Sequence, residues 1–359
     1  MPTPPSPPGR FRRLLPNLLL AAPSLAAGLG ALEASCRLRQ ADGEPWRFVS
    51  RLHGNIPRNS LGFRDHEYPR PKPAGVFRIL VLGDSFTQGV GVGFDESYPE
   101  RLERLLNLVA GGSGPDFQVL NLGLPQRSTP QELRLLRKMA PELEPDLVLV
   151  GYCLNDAEDW DDAESTRALR QRTGYLDQGG LPGWLGRLAS PSALAELVDR
   201  RLGLALSRRR QTSYYRALYR PGAGGWEKIR AALGELSAWS RREGTPVVVA
   251  VFPLLSYGLD GGYPFPEIHR LLDEELKHHH LPHLDLLPFF RNQSRERIEA
   301  DPGRDPHPSA IGHSIAAEAI LGHLCRHGFL PMACDPGHPV ESPAPLPPGR
   351  SGQPPGENG

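Results

Sequence analysis

Cysteine is scarce: four in 359 residues (Cys36, Cys153, Cys325, Cys334), none of them at Cys-x-x-Cys spacing. That excludes a disulfide-framed fold and the common structural zinc modules. An excess of charge is missing as well, with 41 Lys and Arg against 41 Asp and Glu. No basic surplus points to nucleic acid, and no acidic surplus to a solvating tail. Aromatic residues are only 7% of the chain and hydrophobic residues 39%, on the low side for a globular protein. There is no internal repeat. Proline, with 39 residues, crowds the two ends and leaves an ordinary middle. The length fits one domain of roughly 250 to 300 residues with frayed ends.

Residues 1–13 form a short Pro-rich tail that finishes in Arg10, Arg12 and Arg13. From Leu14 to Leu32 the chain carries no formal charge. A helix of that length rises about 28 Å, close to the roughly 30 Å of a bilayer's hydrocarbon. Residues 14–34 therefore read first as a single-pass membrane anchor. A cleaved signal segment and a buried core helix are the alternatives. The uncharged run is long for a signal peptide, no clean Ala-x-Ala site follows, and Glu33 argues against a lipoprotein at Cys36. Arg10, Arg12 and Arg13 favour a cytoplasmic N-terminus, although Arg37, Arg39 and Arg47 follow the run. Residues 335–359 have no hydrophobic periodicity and are expected to be disordered.

Five short apolar runs lie between these ends: Arg78–Leu82, Gln118–Asn121, Asp146–Gly151, Val247–Phe252 and His283–Leu287. They are continuous rather than alternating, as in strands covered on both faces. Helical periodicity separates them. Trp226, Ile229, Leu233 and Leu236 make one stripe, and Ile311, Ile315 and Ala319 repeat every four residues near the end. Strands alternating with helices describe an α/β domain with a central parallel sheet of about five strands, spanning residues 50–330. Residues 160–225 interrupt the alternation, with a helix expected near Ser190-Pro191 (Leu194, Leu197, Val198 and Leu202 on one face), the basic run Arg208–Arg210, and Tyr214, Tyr215 and Tyr219. This insertion is either a packed helix with a solvated Arg face or a lid or membrane-surface element.

In parallel sheets the ligand site lies at the carboxyl ends of the strands, and the unusual residues fall there. After the first strand comes Gly83-Asp84-Ser85. A strand that stops at Gly and turns into a helix exposes the Ser85 hydroxyl and leaves the residue's own N–H unpaired, as an activated serine requires. Asp84 or Ser85 as a plain helix cap is the blander reading. The second strand ends in Asn121-Leu-Gly123-Leu-Pro-Gln126, the third in Gly151-Tyr-Cys-Leu-Asn155-Asp156, and the last helix follows Asp305-Pro-His307-Pro308.

These blocks resemble the SGNH (GDSL) hydrolases, a family of esterases, lipases and deacetylases, over Gly83 to Gly312. The resemblance implies a three-layer, flavodoxin-like fold. It implies Ser85 as nucleophile, His307 as base, and an oxyanion hole built from Ser85, the segment Gly123–Gln126 and Asn155. Three departures stand out. Gln126 replaces the glycine that ends the second block, Gly151 lies four residues before Asn155 rather than two, and Arg304 occupies the usual Asp position three before His307. Asp305 is the nearest carboxylate and is expected to orient His307; capping of the helix that starts near Ser309 is its alternative role. The segment Asn59-Ser-Leu-Gly-Phe-Arg-Asp65 and the N-terminal run are similar to a membrane-anchored bacterial branch, with its catalytic domain extracytoplasmic. In such a compartment Cys325 and Cys334 could pair.

The activity so implied is hydrolysis of short-chain acyl esters on a small-molecule, glycan or lipid substrate, with no cofactor and no metal. Transfer of the acyl group to an envelope polysaccharide would use the same residues. A catalytically inactive binding module is the third reading, motivated by Gln126 and Arg304.

Overall fold

Val and Leu dominate the runs that become strands, and their side chains on both faces are buried. The computed structural model describes residues 28–34, 58–112, 114–173, 193–302 and 305–332. In chain order, β1 (Val76–Gly83) leads into the single-turn α1 (Ser85–Gln88) and then α2 (Tyr98–Ala110). Next come β2 (Asp116–Asn121), α3 (Thr129–Leu143) and β3 (Leu147–Cys153). After them run α4 (Ala163–Arg172), α5 (Ala193–Leu218), α6 (Gly224–Glu243), β4 (Val247–Phe252), α7 (Pro266–His278) and β5 (His283–Asp285). The chain then makes α8 (Leu287–Phe290), α9 (Arg295–Ile298), β6 (Glu299–Asp301), β7 (Asp305–Pro308) and α10 (Ala310–Arg326).

The chain divides into two compact units. One comprises Met1–Val49 and Asp162–Leu218. It contains helical residues 28–34, α4 and α5, and the Glu33 carboxylate accepts the N–H of Leu194 at 2.8 Å. Most of the expected membrane anchor lies outside the described residues. Among the described residues, no helix is long and apolar enough to cross a membrane.

The other unit, Ser50–Asp161 and Tyr219–Gly359, is a three-layer α/β domain. Its five-stranded sheet has the order β2-β1-β3-β4-β5, every pair parallel. The step from β1 to β2 runs one way and the step from β2 to β3 returns past β1. Right-handed crossovers therefore place α2 and α3 on opposite faces. The reversal between β1 and β3 is the topological switch point where such sheets bind ligands. All five expected strands are present; the last is shorter than its apolar run, because Leu287 already begins α8.

Two features differ from the sequence reading. In α10, Ile311 is exposed, while Gly312, His313, Ala316, Ala317 and Ile320 are buried. Small residues let this helix pack closely: a Cβ at Gly312 would lie 3.0 Å from the Ile298 carbonyl oxygen. The four-residue repeat of isoleucines thus marked the flank of the buried face. The second feature is the antiparallel pair β6–β7, a ribbon too short and polar to leave an apolar pattern.

Candidate active site

Ser85 stands at the first position of α1, immediately past the end of β1. Two glycines in register across the sheet, Gly83 and Gly151, open the space beneath it. A Cβ at Gly83 would lie 2.0 Å from Thr87 Oγ1, and one at Gly151 would lie 2.5 Å from the Tyr98 hydroxyl. The freed space holds a buried Thr87–Tyr98 hydroxyl pair at 2.8 Å, which anchors α1 to α2. Gly151 is therefore required by the floor of the nucleophile turn, whatever its spacing from Asn155.

The ribbon β6–β7 brings His307 to this turn from 222 residues away: His307 Nε2 lies 2.9 Å from Ser85 Oγ. On the other side of the ring, His307 Nδ1 lies 2.5 Å from Asp305 Oδ1, and the same oxygen accepts the His307 backbone N–H at 3.1 Å. Asp305 is 5% exposed. It is not needed as a helix cap, since Ser309 Oγ accepts the Gly312 N–H at 3.2 Å. Phe86 packs against the imidazole with ring centroids 5.5 Å apart. Arg304 lies outside the described residues.

The loop after β2 is tied down before it reaches the site. Asn121 Nδ2 donates to the Thr87 carbonyl at 3.0 Å, and Asn121 Oδ1 accepts the Gly123 N–H at 3.0 Å. A Cβ at Gly123 would sit 2.4 Å from the Gln88 nitrogen, so only glycine lets the loop lie against α1. The Gly123 amide is thus spoken for within the loop. Gln126 is exposed and has φ +58°, in the left-handed region. The position keeps the backbone shape that glycine adopts freely and retains an N–H. After β3, Asn155 Nδ2 donates to Asp84 Oδ2 at 3.0 Å. A carboxamide nitrogen carries two hydrogens, so one remains for a ligand. Asp84 Oδ1 accepts the Phe86 N–H at 2.9 Å, and one carboxyl group thereby fixes both α1 and Asn155.

Three acids are buried close to this point. Burial raises the Asp84 carboxyl above the ordinary range, against the pull of Asn155, the Phe86 N–H and His307. Burial and neighbouring acids likewise raise Asp156 and Glu132. Asp156 has a structural role, accepting the Thr129 hydroxyl at 2.9 Å and the Cys153 N–H at 3.3 Å. Both carboxyl oxygens of Glu132 lack a hydrogen-bond partner. No cluster of three or more His, Cys, Asp or Glu side chains suited to a metal ion occurs among the described residues.

Sequence reasoning missed the scaffold supplied by Asn59–Asp65. Asn59 Oδ1 accepts the N–H groups of Leu61 and Phe63 at 3.1 and 3.0 Å, which aims the next two residues inward. The Arg64 guanidinium, in a residue 6% exposed, donates to the carbonyls of Gln88 at 3.1 Å, Val92 at 2.7 Å, and Gly89. Asp65 Oδ2 accepts the Asn121 N–H at 2.7 Å. One segment thus joins the nucleophile turn to the loop after β2. Resemblance to the anchored branch singles the segment out, but its bonding role leaves no sequence signal, because its partners lie 24 and more residues away.

Residues 81–315 match the GDSL-like lipase/acylhydrolase family. No curated protein matches the chain by sequence. Among solved structures, TesA is 14% identical with a TM-score of 0.41, the match covering 70% of this chain and 99% of that one. Axe2, an acetylxylan esterase from Geobacillus stearothermophilus, is 15% identical with a TM-score of 0.40, over 69% of this chain and 94% of that one. A two-domain esterase (CEX) active on acetylated mannans is 15% identical with a TM-score of 0.39, over 76% of this chain and 54% of that one.

Proposed function

Since the chain belongs to the GDSL-like lipase/acylhydrolase family and is an ester-hydrolysing enzyme, we propose that it cleaves short-chain acyl esters through Ser85, His307 and Asp305. The observation that carries this reading is the continuous path from the Ser85 hydroxyl through the imidazole to a buried carboxyl group, 2.9 and then 2.5 Å. His307 Nε2 takes the proton from Ser85 Oγ as the oxygen attacks the ester carbonyl carbon. Asp305 holds the ring so that Nε2 is the basic nitrogen, and stabilises the imidazolium that forms. The imidazolium then gives its proton to the departing alcohol oxygen, leaving an acyl-serine. Water, deprotonated by the same nitrogen, attacks the acyl carbon, and the carboxylic acid leaves as Ser85 recovers its proton.

The tetrahedral oxyanion takes three donors in this reading: the Ser85 N–H, the Gln126 N–H and the second Nδ2 hydrogen of Asn155. Gly123 shapes the loop, because its own N–H is given to Asn121. Losing one such donor typically costs about 3–4 kcal/mol of transition-state stabilisation. The preference for a short acyl group rests on the resemblance of the four sequence blocks. We further propose that the uncharged run 14–32, preceded by Arg10, Arg12 and Arg13, anchors the domain on the extracytoplasmic side of a membrane. A disulfide at Cys325, its partner outside the described residues, fits an oxidising compartment.

The test is a fluorophosphonate probe and a chromogenic acetate ester applied to the full chain. The wild type should be labelled on Ser85 and should release acetate. Ser85→Ala and His307→Ala should each lose activity by about 10⁴-fold or more and Ser85→Ala should lose labelling. A wild-type chain that is neither labelled nor active defeats the reading and leaves a binding module. Acetyl appearing on a sugar hydroxyl instead of in water makes the enzyme a transferase.

A further inference from the structure

A cavity of about 220 Å³ opens beside the loop that carries Gln126, and the reaction above makes no use of it. Gly83 forms part of its wall, two residues before Ser85. Two residues span at most about 7 Å of chain, so the Gly83 wall of the cavity lies close to the backbone of the nucleophile turn. Its volume is below the roughly 300–1,000 Å³ of sites for drug-sized molecules, which limits it to a single ring-sized group.

The lining is part apolar and part cationic. Leu122, Leu124 and Leu135 supply apolar surface, and Arg127, Arg134 and Lys138 supply cations. Arg134 and Lys138 are one helical turn apart on α3, and Arg127 precedes the helix by two residues. Arg134 is paired with Asp161 at 2.8 Å. Arg127 and Lys138 are exposed, with no carboxylate partner among the described residues. Glu132 also borders the cavity, but it is 2% exposed and its carboxyl oxygens are shut off from the open space, near Asp84 and Asp156. Burial and Asp84 hold it toward the protonated form, so it adds no competing negative charge behind the cations.

We propose that this cavity is a subsite for an anionic, ring-sized group, a carboxylated or phosphorylated sugar unit, carried by the ester substrate beside its acyl group. The leucines contact the apolar face of the ring, and Arg127 and Lys138 pair with the anion. The esterase reading supplies only the attached ester; anion binding stands apart from it.

The experiment is calorimetric titration of full-length Ser85→Ala protein with glucuronate, glucose 6-phosphate and glucose at equal ionic strength. At least one anion should bind, glucose should bind about tenfold or more weakly, and Arg127→Ala with Lys138→Ala together should weaken the anion about tenfold. Whichever anion binds tighter identifies carboxylate or phosphate as the recognised group. Both substitutions are at exposed positions, so folding is not at stake. Glucose binding as tightly as the anions, anion affinity unchanged in the double variant, or no anion binding at about 10 mM each overturns the assignment. Acetylated glucuronate and acetylated glucose, turned over by otherwise wild-type enzyme, form the second arm: the double variant should lose the preference for the acidic ester through KM. Anion binding without hydrolysis of any ester would sink the esterase reading and leave the subsite standing, and hydrolysis without anion binding does the reverse.

Discussion

Asp84 holds two donors with two oxygens, the Phe86 N–H on one and the Asn155 amide on the other. Asparagine at this position has a single acceptor oxygen, so it can keep one of these bonds and must turn an N–H toward the partner of the other. If the cap is kept, Asn155 faces a donor and swings away from the oxyanion. Asp84→Asn should therefore lower kcat by about 10- to 100-fold with KM little changed, the signature of an interaction made in the transition state. A change confined to KM would mean that Asn155 is not steered by Asp84. Gln126 supplies a second contrast. A side chain at φ +58° costs roughly 1–2 kcal/mol relative to glycine's freedom, so Gln126→Gly should raise Tm or leave it unchanged while activity persists. Gln126→Pro removes the N–H and, with φ locked near about −65°, also pulls the turn out of the left-handed region, so kcat should fall by at least about 10²–10³-fold. Equal activity in both variants would remove this amide from the oxyanion hole.

At the scale of elements, the site is a meeting of short turns made rigid by a segment far from them in sequence. Arg64 binds three carbonyls at and just beyond the end of α1; hydrogen bonds from a charged donor are worth about 1.5–3 kcal/mol each before the donor's own desolvation is subtracted. Arg64→Met should destabilise the fold by about 3 kcal/mol in urea titrations at unchanged m-value, and Arg64→Lys should recover only part, since one ammonium cannot span three carbonyls. A loss below about 0.5 kcal/mol would make the clamp incidental. This clamp also explains what could be read in advance. Strands buried on both faces leave continuous apolar runs, their carboxyl ends carry Ser85, Asn121 and Asn155, and His307 precedes the last helix, so the layout was open to inspection. Gly151 appeared misplaced because motif spacing counts residues to Asn155, whereas the constraint on it comes from Tyr98 and Thr87. The ribbon β6–β7 has three and four residues, too few for a period to emerge. The first turns of the buried face of α10 are largely small residues (Gly312, Ala316, Ala317), which hydrophobic patterning discounts although close helix packing selects them.

For the molecule as a whole, a balanced formal charge hides acids whose titration bears on folding. Burial pushes the Asp65 carboxyl up to about 7 and Glu100 up to about 8, each aided by like charge nearby. Ordinary values are 3.8 and 4.5. Below about pH 4 both folded and unfolded chains hold these protons, and the pair has no pH-dependent effect. Between there and about pH 7–8 the unfolded chain has released protons that the native state keeps. Unfolding then releases protons, so stability falls as pH rises, by up to about 1.4 kcal/mol per pH unit for each proton retained. Above about pH 8 the native groups ionise as well and the decline levels off. Asp65 accepts the Asn121 N–H, so one of these acids lies on the segment that braces the loop after β2, and the other, Glu100, is on α2. In Glu100→Gln one retained proton is gone, while the acid that raises Asp65, Glu103, stays in place. The fall in Tm from pH 5 to pH 8, followed by calorimetry in buffers of equal ionic strength, should be shallower than in the wild type, with the largest gain in stability at the alkaline end. An identical slope in the two proteins would mean that the pair is ionised in the folded state throughout that range, and that other groups set the pH dependence of this fold.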